Sequence, residues 1–379
     1  MSIYLDHNAS APVRPEAARA VAEALAEGGN PSSVHASGRA ARSRVERARA
    51  MIARSVSARS EDLTFTSGGT EANNLAVHAA IRLGAERIVI SAIEHEAVRA
   101  AALASGLRVD IWPVGSDGRA DLGWLKADLG PAAGKTLYCL MAANNETGVV
   151  QPVAEAGTMI AEAGHLFHVD AVQMTGGGRF DFAGSFATFA ALSAHKAGGP
   201  QGAGALLTAC DAQVGAQIKG GGQEKGRRGG TENVAGIAGF AAAVEASCAD
   251  TSEARRVASM RDRCESLITA RAPEVTVWGG DAKRLPGTLC LSAPGWASEI
   301  QVIAMDLKGF AVSAGSACSS GKVRKSQVLE AMGARPEDAA SALRVSFGWS
   351  NTMNDAEAFA NAWLSEYDRV RPRAAAVSA

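Results

Sequence analysis

The chain has 379 residues, more than one ordinary hydrophobic core requires, and this length predicts two domains. Hydrophobic residues make up 47% of the sequence and charged residues 20%, a balance typical of a globular protein with a large core. A formal net charge of -1 and an isoelectric point near 6.7 give no electrostatic reason to expect binding to nucleic acid or to an anionic membrane.

The first residues and the cysteines indicate the compartment. Residues 1–12 contain no basic region followed by an apolar core, and no apolar stretch of the chain approaches the length that spans a membrane. The six cysteines are scattered without a Cys-x-x-Cys pair, a spacing that is poor for a zinc site or a disulfide framework. We therefore expect a soluble protein of a reducing cytoplasm, without a bound metal.

Short apolar runs alternate with segments of helical pattern between residues 63 and 208. Helices are predicted to begin near residues 67, 95, 121 and 153. The predicted strands cover residues 63–66, 87–91, 107–112, 136–142, 166–170, 186–193 and 203–208. This alternation favours an α/β fold with a mostly parallel, doubly wound sheet.

The composition changes after the glycines at 220–222. Two long helices are predicted at 232–247 and 253–270, then strands at 275–278, 288–292 and 310–313 around a helix at 298–307. We expect a large domain over residues 13–250 and a smaller α+β domain formed by residues 1–12 together with 251–379. Residues 371–379 carry little apolar surface and are expected to fray.

Two neighbouring strand ends carry the most informative residues. One apolar run ends on Asp170, and the next ends on Ser193, His195 and Lys196. In an α/β protein, residues at the carboxyl ends of strands line the ligand crevice. Pyridoxal phosphate (PLP) needs an acidic partner for its ring nitrogen and a lysine for its Schiff base, so this pair suits it. An ion pair that joins two strand ends is the alternative, and these residues alone do not separate the two hypotheses.

Three more polar positions follow predicted strands. Gly69 and Thr70 open a helix and could bind a phosphate through backbone N–H groups, although an ordinary helix start is also possible. His95 could stack on a pyridine ring and move protons, but a lone histidine is more often a surface or core residue. Asn145 could bond a ring hydroxyl or a substrate carboxylate, and a plain polar turn explains it equally well.

The later part of the chain adds three candidates. The glycine-rich, basic residues 220–231 suit a phosphate contact, a subunit boundary or a mobile linker. Cys318 lies among serines and glycines, so we expect an exposed loop and a reactive thiolate, whereas Cys139 and Cys290 are expected to be buried and inert. Arg344 lies on one face of a predicted strand and suits a carboxylate, with an ion pair at the rim as the alternative.

Together, these motifs resemble those of the cysteine desulfurases of the NifS/IscS type, within the class V aminotransferase group of PLP enzymes of fold type I. The match runs from Tyr4 to beyond Arg344. The family's motifs occur in order as Gly-Gly-Thr-Glu-Ala, Glu-His, Asn-Asn-Glu-x-Gly, His-Val-Asp-Ala-x-Gln, His-Lys, Arg-x-Gly-Thr-Glu-Asn and Gly-Ser-Ala-Cys-Ser. Each motif is weak by itself, and the ordered set is specific.

The resemblance implies a homodimeric enzyme that converts L-cysteine to L-alanine and transfers the sulfur to Cys318 as a persulfide. A protein acceptor, either an iron–sulfur scaffold or a sulfur carrier, would take the sulfur from there. Lys196 would bind PLP and later move the Cα proton, and His95 would stack on the ring. The other implied positions are Asp170 at the ring nitrogen, Gln173 and Asn145 on the hydroxyl side of the ring, Gly69, Thr70, Ser193 and His195 at the phosphate together with Thr231 from the second subunit, and Arg344 with Asn145 at the substrate carboxylate.

The chain departs from the family's usual pattern at residues 8–12, at residues 197–201, which are smaller than usual, and at Trp349, where many relatives have Arg. These departures concern the entrance of the cofactor pocket and the substrate mouth. An aminotransferase or a selenocysteine lyase of the same fold is the alternative enzyme. A sulfur carrier or assembly scaffold without activity is the alternative from another class, although it predicts damage at Lys196 or Asp170, which are both intact.

Overall fold

A computed structural model describes residues 2–129, 134–175, 179–209, 214–314 and 326–377. Cys318 therefore lies outside the described residues. The strands are β1 (Ile3–Tyr4), β2 (Leu63–Thr66), β3 (Ala85–Ser91), β4 (Arg108–Trp112), β5 (Lys135–Cys139), β6 (Leu166–Asp170), β7 (Phe189–Ser193), β8 (Gly204–Thr208), β9 (Thr276–Val277), β10 (Thr288–Ser292), β11 (Phe310–Ala311), β12 (Ser313–Ala314) and β13 (Ala342–Ser346). The helices are α1 (Pro15–Glu27), α2 (Ala36–Ser55), α3 (Gly69–Arg82), α4 (Glu96–Leu103), α5 (Leu122–Asp128), α6 (Val153–Glu162), α7 (Val234–Ala249), α8 (Glu253–Arg271), α9 (Ser298–Leu307), α10 (Gln327–Ala331), α11 (Pro336–Ala340) and α12 (Met353–Val377).

The first part of the chain forms a seven-stranded sheet in the order β2-β8-β7-β6-β5-β3-β4. Strand β8 is antiparallel to both of its neighbours, and the other pairs are parallel. Every residue of β6 and β7 is buried, which explains their apolar runs. The predicted α/β fold with a mostly parallel sheet is therefore confirmed. Because β6 and β7 are parallel neighbours, the residues that follow them lie at the same edge of the sheet.

The second part of the chain contains a four-stranded antiparallel sheet in the order β12-β13-β10-β9. Strand β1 pairs in parallel with β11, so the first residues pack with this part. One hydrophobic cluster draws its members from Ala17 to Val244, and another combines Leu5 with residues between Val257 and Tyr367. These clusters support the division at residue 250, which stays a prediction.

The structure contains elements that were not expected, among them the short helices α10 and α11 and the long helix α12. Helices α1 and α2 were not predicted, because many residues on their core-facing sides are alanines, which give a weak apolar pattern. The segment expected as one strand at 310–313 is split between β11 and β12, which belong to different sheets. Helix α12 extends to Val377, into the segment that was expected to fray, and the fraying itself stays a prediction. Adding residues to an existing helix requires no new nucleation, and alanines favour it. None of the described helices is long and apolar enough to cross a membrane.

Candidate active site

Lys196 ends the short 3-10 turn Ala194–Lys196, which directly follows β7. Its Nζ donates to the carbonyl oxygens of Asn8 and Ala9, the second over 3.0 Å. Burial lowers the pKa of Lys196 to about 8, and the charge of Arg344 acts in the same direction. About one tenth of the amine is therefore neutral at pH 7, against fewer than about one in a thousand for an ordinary lysine, and condensation with an aldehyde requires the neutral form.

Asp170 is the last residue of β6 and is 6% exposed. Its carboxylate accepts hydrogen bonds from Nδ2 of Asn73 at 2.7 Å and from the backbone N–H of Val172 at 3.0 Å. Oδ1 of Asn73 then lies 2.8 Å from Nε2 of His168. Burial lowers the pKa of His168 to about 4, so this imidazole is neutral and donates from Nε2. Two side chains in series therefore orient the carboxylate.

The alternative of an ion pair between Asp170 and Lys196 is wrong. No salt bridge among the described residues joins the two, since each takes other partners. Structural pairing therefore does not explain why both residues are present at this edge of the sheet, and a ligand between them does.

Helix α3 begins at Gly69, directly after β2 and the residues Ser67 and Gly68. No side chain caps its first turn, so the first N–H groups of the helix can bind an anion. A Cβ added to Gly69 would lie 2.6 Å from Cγ2 of Val172, and one added to Gly204 would lie 2.6 Å from Cα of Gly68. Residues 67–70, which we call the glycine cup, thus lie between a strand and a helix as predicted. Thr70 is exposed at the start of the helix.

His95 is the N-cap of α4, and its Nδ1 accepts from the backbone N–H of Ala97 at 3.1 Å. This bond assigns the proton of the neutral ring to Nε2 and leaves the exposed imidazole fixed at the helix start. Stacking of His95 on a cofactor ring stays a prediction.

The neighbouring Glu94 was not predicted as a site residue. Its Oε1 accepts from Oγ of Ser91 and from the backbone N–H of Met141, both at 2.7 Å. Burial raises the pKa of Glu94 to about 8, and the charge of Asp170 adds to this shift. The signal that could have found it is a glutamate directly before His95 at the end of an apolar run.

Asn8 connects several of the predicted residues and was also missed. Its carbonyl oxygen accepts from Nε2 of Gln173 at 3.1 Å as well as from Lys196. Its Nδ2 donates to the carbonyl oxygen of Asn145 at 3.1 Å. Gln173, Asn145 and Lys196 are therefore held together by one residue from the first turn of the chain.

Arg344 lies in β13 and is 1% exposed, so it is not at a rim as the alternative proposed. Its Nη2 donates to Oδ1 of Asp6 at 2.8 Å, and Nη1 donates to the carbonyl oxygen of Asn145 at 3.0 Å. The buried Nε has no hydrogen-bond partner within the described chain. Asp6, which balances the charge of Arg344, had not been predicted.

Ser193 and His195 flank Lys196 as expected. Ser193 is buried at the end of β7, and Nδ1 of His195 lies 3.3 Å from Oγ of Ser10. Burial, together with the charge of Lys196, lowers the pKa of His195 to about 4. The imidazole is neutral at physiological pH and can donate one hydrogen bond to a phosphate.

Thr231 lines a cleft of about 180 Å³ together with Ser67 and Arg228. Arg228 forms an ion pair with Glu71 at 2.9 Å, in the first turn of α3. The glycine-rich, basic residues 220–231 therefore lie beside the glycine cup of their own chain. That Thr231 serves the site of a second subunit stays a prediction.

The described residues include both ends of the segment that carries Cys318. Strand β12 precedes this segment and pairs Ser313 with Arg344, and α10 follows it. Cys139 and Cys290 are fully buried, as predicted, and burial raises the pKa of both thiols, which disfavours the reactive thiolate form.

PLP fits the residues that meet here. The oriented carboxylate of Asp170, the partly neutral amine of Lys196 and the uncapped helix start at Gly69 match its ring nitrogen, aldehyde and phosphate. A cavity of about 830 Å³ reaches Lys196 and Gln173, a volume in the range of small-molecule sites. The glycine cup lies outside the lining of that cavity, as do Asp170, His95 and Arg344.

A comparison with protein families gives one match over most of the chain. The family model described as aminotransferase class-V matches residues 3–359. The chain therefore belongs to the class V aminotransferase family.

The chain is similar over most of its length to proteins that are named cysteine desulfurase or NifS-like protein. A cysteine desulfurase of Cereibacter sphaeroides is 39% identical over 87% of the chain and 86% of its own length. Cysteine desulfurase IscS of Anaeromyxobacter sp. (strain Fw109-5) is 39% identical over 94% of the chain and 90% of its own length. A NifS-like protein from Rickettsia africae ESF-5, solved by X-ray methods, superposes with a TM-score of 0.89 at 34% identity and covers 97% of this chain and 100% of its own.

Proposed function

We propose that this chain is a PLP-dependent cysteine desulfurase, which converts L-cysteine to L-alanine and takes up the sulfur on Cys318. The observation that carries the proposal is the placement of Asp170 and Lys196 after the parallel neighbours β6 and β7, beside the glycine cup at Gly69. The names of the relatives, which cover most of the chain, agree with it.

PLP, when bound, supplies an electron sink that weakens the bonds at the substrate Cα. Asp170 stabilises the proton on the ring nitrogen, and Asn73 and His168 hold its carboxylate in place. The neutral amine of Lys196 takes the proton from Cα and can return it, since its pKa is lowered to about 8. His95, fixed at the start of α4, is positioned to move a second proton.

Arg344 binds the carboxylate of the substrate. Its Nε is buried without a partner, and its Nη groups are already fixed by Asp6 and Asn145. A guanidinium held in this way loses little side-chain entropy when a carboxylate binds. Ser313, the residue paired with Arg344, lies just before the segment that carries Cys318. This arrangement brings the start of that segment to the same strand as the substrate-binding arginine.

Cys318 attacks the substrate sulfur as a thiolate, and the bond between that sulfur and the substrate Cβ breaks. The sulfur stays on Cys318 as a persulfide, and the electron pair of the broken bond stays with the carbon fragment, which takes up a proton at Cβ and leaves as alanine. A protein acceptor, an iron–sulfur scaffold or a sulfur carrier, then takes the sulfur. We further propose a homodimer in which Thr231 completes the phosphate site of the second subunit. The exposure of Thr231 supports this assignment.

Sulfide and alanine production from L-cysteine in the presence of a reductant tests the proposed function. Cys318→Ala should abolish both products and leave bound PLP unchanged. Cys248→Ala is the matched control, since Cys248 is an exposed free thiol, and it should leave both rates unchanged. Full turnover in Cys318→Ala would contradict the persulfide step. Formation of 3-mercaptopyruvate without sulfide, in the presence of an added keto acid as amino-group acceptor, would favour the aminotransferase alternative.

A further inference from the structure

Residues 7–14, which we call the N-terminal strap, run along the segment that carries Lys196. The backbone N–H of Ala11 donates to the carbonyl oxygen of His195 at 2.9 Å, and that of Arg14 donates to Gly198 at 2.8 Å. Together with the bonds from Lys196 Nζ to Asn8 and Ala9, these contacts cover the lysine from one side. The position of the amine therefore depends on what holds the strap.

Arg14 is the residue at the end of the strap, and it is buried. Its Nε donates to the carbonyl oxygen of Ala197 at 2.9 Å, one residue after Lys196. Its Nη2 binds both carboxylate oxygens of Glu253, at 2.7 and 2.8 Å, at the start of α8. The guanidinium of Arg14 thus joins residues 195–199, which we call the lysine segment, to α8 in the second part of the chain.

Trp349 forms the other wall of the Arg14 site. The guanidinium carbon of Arg14 lies 5.3 Å from the centre of the indole ring, within the range of a cation–π interaction. The indole Nε1 donates to the carbonyl oxygen of Pro12 at 3.0 Å, so Trp349 also holds the strap directly.

Gly198 shows that the lysine segment is shaped around Arg14. Its φ of +83° is in the left-handed region that favours glycine, and an added Cβ would lie 2.7 Å from Cγ of Arg14. Ala197 and Gly198, the small residues after Lys196, and Trp349 therefore all meet at Arg14.

We infer that Arg14 is a positioning residue for Lys196, acting through the carbonyl of Ala197 and the strap, with Trp349 and Glu253 as its two supports. The inference rests on the proposed role of Lys196. In physical terms, Arg14 holds the N-terminal strap against the segment that carries Lys196. The strap in turn keeps water away from the amine of Lys196. A lysine cannot replace Arg14, since it has no planar fork to bond Ala197 and Glu253 together while lying over an indole ring.

The test measures the titration of Lys196 in the full-length protein freed of PLP, by the pH dependence of amine modification read from the peptide that contains Lys196. The quantity compared is the midpoint of the curve of modification rate against pH. A change in the accessibility of the amine multiplies the rate by the same factor at every pH and leaves this midpoint unchanged. The wild-type midpoint should lie at about 8, where burial places it. Arg14→Lys keeps the charge and should raise the midpoint by about one pH unit or more, as water reaches the amine.

Trp349→Leu gives a second test, because it leaves the ion pair with Glu253 in place and is less demanding for folding. It should raise the midpoint in the same direction by a smaller amount. In the PLP-loaded enzyme, both variants should speed amide exchange of residues 195–199 by about tenfold or more relative to wild type.

Arg49→Lys is the matched control. Arg49 forms a buried ion pair with Glu224 at 2.7 Å and lies 4.7 Å from the centre of the Phe65 ring, without contacting the strap. This variant should lower the melting temperature and leave the Lys196 midpoint unchanged. A midpoint that stays at the wild-type value in both Arg14→Lys and Trp349→Leu would overturn the inference. Because PLP is absent from the titration, this result would leave the proposed function standing.

Discussion

Asn73 donates a hydrogen bond of 2.7 Å to the carboxylate of Asp170, and this bond fixes the orientation of both side chains. Since Nδ2 of Asn73 faces Asp170, Oδ1 faces His168, which must then donate from Nε2. The acid proposed to face the cofactor ring is therefore oriented by a neutral network buried behind it.

Asn73→Ala tests this network. The change removes a donor from Asp170 and an acceptor from His168 inside the core, which should cost about 1–3 kcal/mol in the free energy of unfolding. PLP affinity and turnover should both fall by about tenfold or more, by analogy with residues that orient the ligands of a metal site. Urea unfolding and cofactor titration measure the two effects.

Asn74→Ala is the control for Asn73→Ala. The side chain of Asn74 donates to the carbonyl oxygen of Thr70 at an exposed position. Its removal should change the free energy of unfolding by about 0.5 kcal/mol or less. Equal effects of the two substitutions would show that the contact with Asp170 has no special role.

Glu94 should make the stability of the protein depend on pH. Its pKa is raised from 4.5 to about 8 in the folded state, so between these values the unfolded chain loses a proton that the folded chain keeps. The contribution of Glu94 to the free energy of unfolding is therefore fully present below pH 4.5 and is lost as the pH rises toward 8. The loss is at most about 1.4 kcal/mol per pH unit. Urea unfolding at pH 5.5 and at pH 7.5 measures the slope.

Glu94→Gln should reduce this slope, since glutamine has no proton to lose and can still accept from Ser91 and Met141. Glu146, whose pKa burial raises to about 7, contributes a slope of the same sign as Glu94. His168 and His195, whose pKa values burial lowers to about 4, contribute slopes of the opposite sign, so the test is the difference in slope between Glu94→Gln and the wild type. Glu96→Gln is the control, because Glu96 is exposed. A slope in Glu94→Gln as steep as that of the wild type would refute the assignment of a neutral Glu94.

Arg344→Lys should raise the KM for L-cysteine and lower kcat/KM by about tenfold or more, because an ammonium group cannot replace the fixed fork. The substitution also leaves Asp6 without the bond to Nη2, so the melting temperature should fall. Arg335→Lys is the control, since Arg335 forms an exposed ion pair with Asp338. Steady-state kinetics would count against a substrate-binding role if only kcat changed.

The sequence predicts the parts of the site that follow from local pattern. Asp170 and Lys196 end contiguous apolar runs, and Gly69 opens a helix after a strand, so each is visible within a few residues of the chain. Parallel strands bring such ends to one edge of a sheet. The neighbourhood of the site could therefore be predicted before the fold was known.

The partners of these residues could not be predicted in the same way. Asp6 and Arg344 are separated by 338 positions, and Asn8 and Lys196 by 188. No local pattern records a contact over such distances, and a backbone carbonyl such as that of Asn8 carries no signal of residue type. Helices α1 and α2 were missed for another reason, since alanine faces bury well but look only weakly apolar.

Borohydride reduction of the PLP-loaded protein, followed by digestion and mass spectrometry, tests most directly whether Lys196 carries the cofactor. The expected result is a pyridoxyl group on the peptide that contains Lys196, and its loss in Lys196→Ala. A reduced protein without this modification on Lys196, or with the modification on another lysine, would contradict the proposed chemistry.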